Sequence, residues 1–138
     1  MSSLDTLIKL HRWQLDEQRR RVAEIESLAH RLHVQLTRLG DEAASEQQVA
    51  GGSHEASYAY GGYARTVIDR RGKLTQSLQE TEQQLVDARA ALADAYAEVK
   101  RYEIAAANRL LAKHRGLERL RQQELDEVAI AGFRRKEK

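Results

Sequence analysis

Apolar residues in the first forty positions recur in alternating steps of four and three, at Leu4, Ile8, His11, Leu15, Gln18, Val22, Ile25, Ala29, Leu32, Leu36 and Leu39. That spacing is a heptad seam and predicts a coiled-coil helix. Nine of the eleven seam positions are apolar, and Arg19, Arg20, Arg21, Glu24, Glu26 and Arg38 fall on the faces between them. His11 and Gln18 interrupt the seam, as polar residues do when they fix register at some cost in stability. The pattern fades through Gly40-Asp41-Glu42 and stops at Gly51-Gly52-Ser53, where a reversal is expected, with Ser53 as N-cap of a second helix and Ala56 at the third position. A second seam then runs Val67, Leu74, Leu78, Leu85, Ala88, Leu92, Ala95, Val99, Tyr102 and Ala106. It continues, shifted by one position in the manner of a stutter, through Leu110, Leu117, Leu120 and Val128.

Two helices joined by a short turn pack antiparallel. Matching the seams pairs Val22 with Leu85, Leu15 with Leu92 and Ile8 with Val99, residue numbers that add to 107, while Leu32 with Leu74 and Leu4 with Tyr102 add to 106. Both values centre the turn near residue 53. This register leaves the chain from about residue 105 without a mate, a helical overhang of about 40 Å at 1.5 Å per residue. The expected fold is therefore all-α, a long antiparallel two-helix coiled-coil hairpin with a C-terminal helical overhang. One domain is expected over 1–138, with helix one over about 3–48, a turn over about 49–56, helix two over about 57–131 and a basic tail over 132–138.

Composition narrows the function classes. The 138 residues contain no proline, no cysteine and only seven aromatics, which suits long helices and leaves little with which to fill an enzyme-sized core. Absence of cysteine removes disulfides, thiolate zinc sites and thiol nucleophiles. No apolar stretch approaches a membrane span and the N-terminus lacks a secretory pattern, so a cytoplasmic protein without direct membrane insertion is expected. Charge is uneven: residues 100–138 hold 11 Lys/Arg against 6 Asp/Glu, net +5, whereas residues 75–99 hold one against five, net −4.

Candidate chemistry is sparse. Gly72-Lys73 resembles the end of a phosphate loop, but Val67 and Leu74 stand where glycine and Ser/Thr are required. His30 and His33 share a helix face without a suitably spaced carboxylate, so no metal or cofactor is expected. Arg19-Arg20-Arg21 points in three directions and is neutralised by Asp16, Glu17, Glu24 and Glu26, which argues against nucleic acid. Tyr58, Tyr60 and Tyr63 crowd the entry to helix two, either closing the end of the seam or presenting a protein-binding anchor.

Leu4, Leu7 and Leu10 at the start, a glycine-broken middle, the tyrosines, and Glu124-Leu125-Asp126-Glu127-Val128-Ala129 before Arg134-Arg135-Lys136 together resemble the FliJ family of flagellar export proteins over the whole chain. The resemblance implies a non-enzymatic stalk of the flagellar type III export apparatus. Such a stalk binds and stimulates a hexameric export ATPase, contacts the membrane export gate and helps recycle export chaperones at the cytoplasmic face of the inner membrane. It further implies gate binding by Tyr63, Val67 and Leu74, on a face that Arg70 and Arg71 interrupt. The unmated Leu110, Leu117, Leu120, Leu125 and Val128 then become the ATPase-binding element. The alternatives are the stalk of a non-flagellar type III system and a homo-oligomeric scaffold whose overhang pairs with a second copy.

Overall fold

A computed structural model describes residues 2–52 and 54–137; the expected cap at Ser53 lies outside the described residues, as does the side chain of Ala56. Two helices account for nearly all of it, α1 over Ser3–Ala50 and α2 over His54–Glu137, packed against each other as a hairpin. No strand occurs among the described residues. Helix α1 begins at a cap that the sequence pattern did not single out. Ser2 Oγ accepts a hydrogen bond from the Asp5 amide at 3.2 Å, and the Asp5 carboxylate sits in the first turn, where the helix dipole favours it. The expected basic tail over 132–138 is helical through Glu137, because Arg134, Arg135 and Lys136 occupy the last turn and complement its exposed carbonyls.

Contacts divide the chain into two units, residues 14–95 and residues 1–13 with 96–138. The core of the first consists of two clusters. Val22, Ile25 and Ala88 pack with Leu85 and Leu92, and Ala29, Leu32 and Leu78 pack with Leu36 and Leu74. In the second, Ile8 and Val99 are buried and Leu4, Tyr102 and Ala106 are half-buried. Every seam residue read from the sequence up to Ala106 is buried or half-buried, and Thr81 joins them. Its hydroxyl donates to the Ser77 carbonyl at 2.7 Å, which lets a polar residue occupy a seam position.

The register differs from the one expected. Val22 and Leu85 share one cluster and Leu32 and Leu74 the other, yet the facing pairs lie further along the chain. Arg12 pairs with Glu103, Glu26 with Arg89 and His33 with Glu82, at 3.2, 3.2 and 3.6 Å, and the His11 ring stacks on Tyr102 at 4.7 Å. The numbers of these partners add to 113–115, close to one heptad beyond 106–107, and Tyr102 meets His11 rather than lying opposite Leu4. The cause lies at the reversal. Helix α2 starts at His54, yet Tyr58 is 91% exposed, and packing resumes only where Ala59, Tyr60 and Tyr63 come against Glu46, Val49 and Ala50. His54, Glu55 and Tyr58 are exposed, so pairing begins about one turn into α2, which moves its centre along the chain.

Glycines in α2 lower its intrinsic stability without serving a close approach. A Cβ at Gly72 meets nothing within 4 Å, so Gly72→Ala raises stability by about 0.5–1 kcal/mol. Thermal unfolding followed by circular dichroism should show a higher midpoint. Gly52 is different, since a Cβ there lies 3.3 Å from the Val49 carbonyl oxygen, and Gly52→Ala should show no such gain.

Candidate functional site

Beyond Ala106 every described side chain of α2 is exposed, and the helix continues to Glu137. That is roughly 45 Å of helix at 1.5 Å per residue. Leu110, Leu117, Leu120, Leu125 and Val128 are each 55–70% exposed, with Leu117, Val128 and Leu110 on the continuation of the seam face. Leu111, Ile130 and Phe133 are exposed as well, although the heptad pattern did not include them. Their signal was available: apolar residues spaced around more than one face of a helix end that outruns its seam. Ion pairs among the described residues all involve positions up to Glu103, so the charges of the overhang are held by no salt bridge there. Gln122 donates to the Asp126 carboxylate at 3.1 Å along its own helix.

Near the start of α1, Leu4 and Leu110 lie in a shallow hollow of about 380 Å³ together with Ser2, Asp5, Ala106, Arg109 and Lys113. Further along the same unit, Arg12 donates to Glu103, and Lys100 lies 3.4 Å from its other oxygen. The Arg12 hydrogen bond holds the Glu103 carboxyl below the usual carboxylate range, partial desolvation opposes this, and the Lys100 charge adds to it. Exposed pairs of this kind add little stability and chiefly fix which residues face each other.

Tyr63, Val67 and Leu74 are all half-buried, on the side of α2 that faces α1. Leu74 packs against the Ala29, Leu32 and Leu78 cluster and borders a hollow with Gln35, Arg38, Leu39, Glu42 and Arg70. Tyr63 lines a separate hollow of about 300 Å³ with Glu46, Val49, Ala50, Ala59 and Tyr60, its ring 6.1 Å from that of Tyr60. Desolvation raises the Tyr63 phenol above its ordinary range, and the carboxylates of Glu46 and Glu42 add to the effect. The freely exposed apolar side chain of this stretch is Ile68, at 72%, which a heptad reading passes over because it falls off the seam. Gly40 and Arg71 also approach across the hairpin.

Among the described residues no three His, Asp or Glu side chains converge to hold a metal ion, and His33 is engaged with Glu82. Among the described residues no helix is long and apolar enough to cross a membrane.

The family model of the flagellar FliJ protein matches residues 1–138. The chain belongs to the FliJ family. Membership makes it a component of the flagellar export apparatus, in a family of non-catalytic export proteins. Flagellar FliJ proteins from two strains of Caulobacter vibrioides are each 25% identical to this family member over 125 residues, covering 91% of this chain and 90% of theirs. No solved structure matches it.

Proposed function

We propose that this FliJ family member is a non-enzymatic stalk of flagellar type III export. It engages the export ATPase hexamer with its overhang and contacts the export gate through the Tyr63, Val67 and Leu74 region. It helps recycle export chaperones while held peripherally at the cytoplasmic face of the inner membrane. The observation that carries this reading is the row Leu117, Leu120, Leu125 and Val128, exposed on a stretch of helix with no packed mate among the described residues, with Leu110 exposed at its base beside Leu4. Soluble proteins seldom leave such a row uncovered. A ring pore supplies walls on every side of a single helix, which also accounts for Leu111, Ile130 and Phe133 on its other faces. Sedimentation with the purified ATPase tests the stalk assignment: co-sedimentation and faster ATP hydrolysis support it, and independent sedimentation overturns it.

The gate contact has its own test. Tyr63→Ala with Val67→Ala removes two neighbouring anchors, and motility and export should fall at nearly unchanged helicity. Because both side chains are half-buried, the same measurement on Ile68→Asp, which disturbs no packing, separates binding from folding. Normal motility in both variants overturns the contact.

A further inference from the structure

The overhang carries its charges in blocks of alternating sign, the last of them the basic turn Arg134, Arg135 and Lys136. Residues 109–121 contain Arg109, Lys113, Arg115, Arg119 and Arg121 against Glu118, net +4, and residues 122–133 contain Glu124, Asp126 and Glu127 without a basic residue, net −3. None of these side chains takes part in an ion pair among the described residues, and both blocks lie on an exposed helix with an apolar row. We infer that, in the free protein, two copies of the chain pair through their overhangs in antiparallel sense, about a two-fold axis near Gln122 and Gln123.

Charge decides the direction. A parallel pair sets +4 against +4, −3 against −3 and the basic last turns against each other, whereas an antiparallel pair sets the +4 and −3 blocks against each other and brings Lys136 opposite Arg109 as the one like-charge contact of the last turn. Spacing decides the register. Leu117, Arg121, Glu124 and Val128 succeed one another in steps of four, three and four, so they form one seam. Antiparallel pairing about the stated axis puts Leu117 against Val128 of the second copy and Arg121 against Glu124 of the second copy, each pair occurring twice. Leu120 and Leu125 flank that seam and lose water on either side of it. The contact is isologous, the same patch on both copies, and therefore closes at two chains instead of growing into a filament. It covers the Leu117–Val128 face, so it competes with any other partner of that face, yet it requires no such partner.

The chain has no cysteine of its own, which makes directed cross-linking clean. Sedimentation equilibrium of the full chain alone, in low salt, should show mass rising from 15.7 kDa toward twice that value with concentration, and added salt should reverse it. Arg121→Glu or Glu124→Arg alone sets like charges together and should weaken association by roughly tenfold or more. The two substitutions in one chain restore opposite charges across the antiparallel seam and should recover it. Circular dichroism on each variant reports whether the helix is intact. Leu117→Cys chains mixed with Val128→Cys chains should form the mixed disulfide ahead of either symmetric one. A strictly monomeric chain, failure of the double variant to recover, or preference for symmetric disulfides overturns the antiparallel pair. All of these readouts are taken without the ATPase, so their failure leaves the stalk reading standing, and failure of the stalk reading leaves them unaffected.

Discussion

A chain ending at Gly116 should fail to stimulate the export ATPase that the proposed function assigns as its partner, while the hairpin stays folded. Among the described residues, buried side chains extend no further along α2 than Val99, and half-buried ones no further than Ala106, so removing residues 117–138 takes nothing from the packed seam. It does remove Leu117, Leu120, Leu125 and Val128, the side chains of the exposed row. Rates of ATP hydrolysis with the truncated chain should equal those of the ATPase alone, and the melting curve of the hairpin should be preserved. Leu117→Asp with Leu120→Asp should reproduce the loss by placing charge where apolar surface is needed. Arg134→Ala with Arg135→Ala should instead slow association and flatten its dependence on salt, since exposed charges steer encounter and are screened within about 8–10 Å. Undiminished stimulation by the truncated chain assigns the contact elsewhere.

Ala88→Asp should strongly destabilise residues 14–95. Ala88 is 4% exposed and packs with Val22 and Ile25, and the cluster is completed by Leu85 and Leu92. The cluster holds no cation, and Arg21, which borders Ala88 in a shallow hollow, shares that hollow with Asp87. A new carboxylate must therefore be dehydrated unpaired or must push the helices apart. Either outcome costs about 3 kcal/mol or more, against a net stability of roughly 5–15 kcal/mol for ordinary domains. A two-helix layer sits at the thin end of that range, since among the described residues no side chain is fully buried. Ala90→Asp, two positions along on an exposed face, should cost under about 1 kcal/mol through helix propensity alone. Circular dichroism melts of the two variants make the comparison; equal midpoints would mean that the Ala88 site is wetter than its burial indicates.

Structure and residue pattern agree on the all-helical hairpin because each seam residue announces itself locally. Leu15, Val22 and Leu32 in α1 and Leu78, Ala88 and Val99 in α2 are spaced by the helix repeat itself, and all six are buried. Gly51-Gly52 likewise marks the end of α1 by its own chemistry, with the Gly51 amide still bonded to the Gln47 carbonyl at 3.2 Å. The exposed Leu117 to Val128 row was legible for the same reason: an apolar pattern that outruns its partner is visible in the chain alone.

Facing partners were not legible. A heptad seam matches its mate equally well after a slip of seven, and only the path of the chain between Ala50 and Tyr60 decides among the matches. Pairing begins about one turn into α2, so His11 stacks on Tyr102 and Glu26 meets Arg89. Inward and outward faces near the reversal were also settled by packing. Tyr63, Val67 and Leu74 turn partly toward α1 while Ile68 faces outward, because the side of α2 that lies against α1 depends on where the reversal ends. The sequence by itself determined the helices, the seam and the overhang, all set by near-neighbour spacing; the register and the exposed face at the tip came only from the tertiary structure, since both depend on how two distant stretches meet.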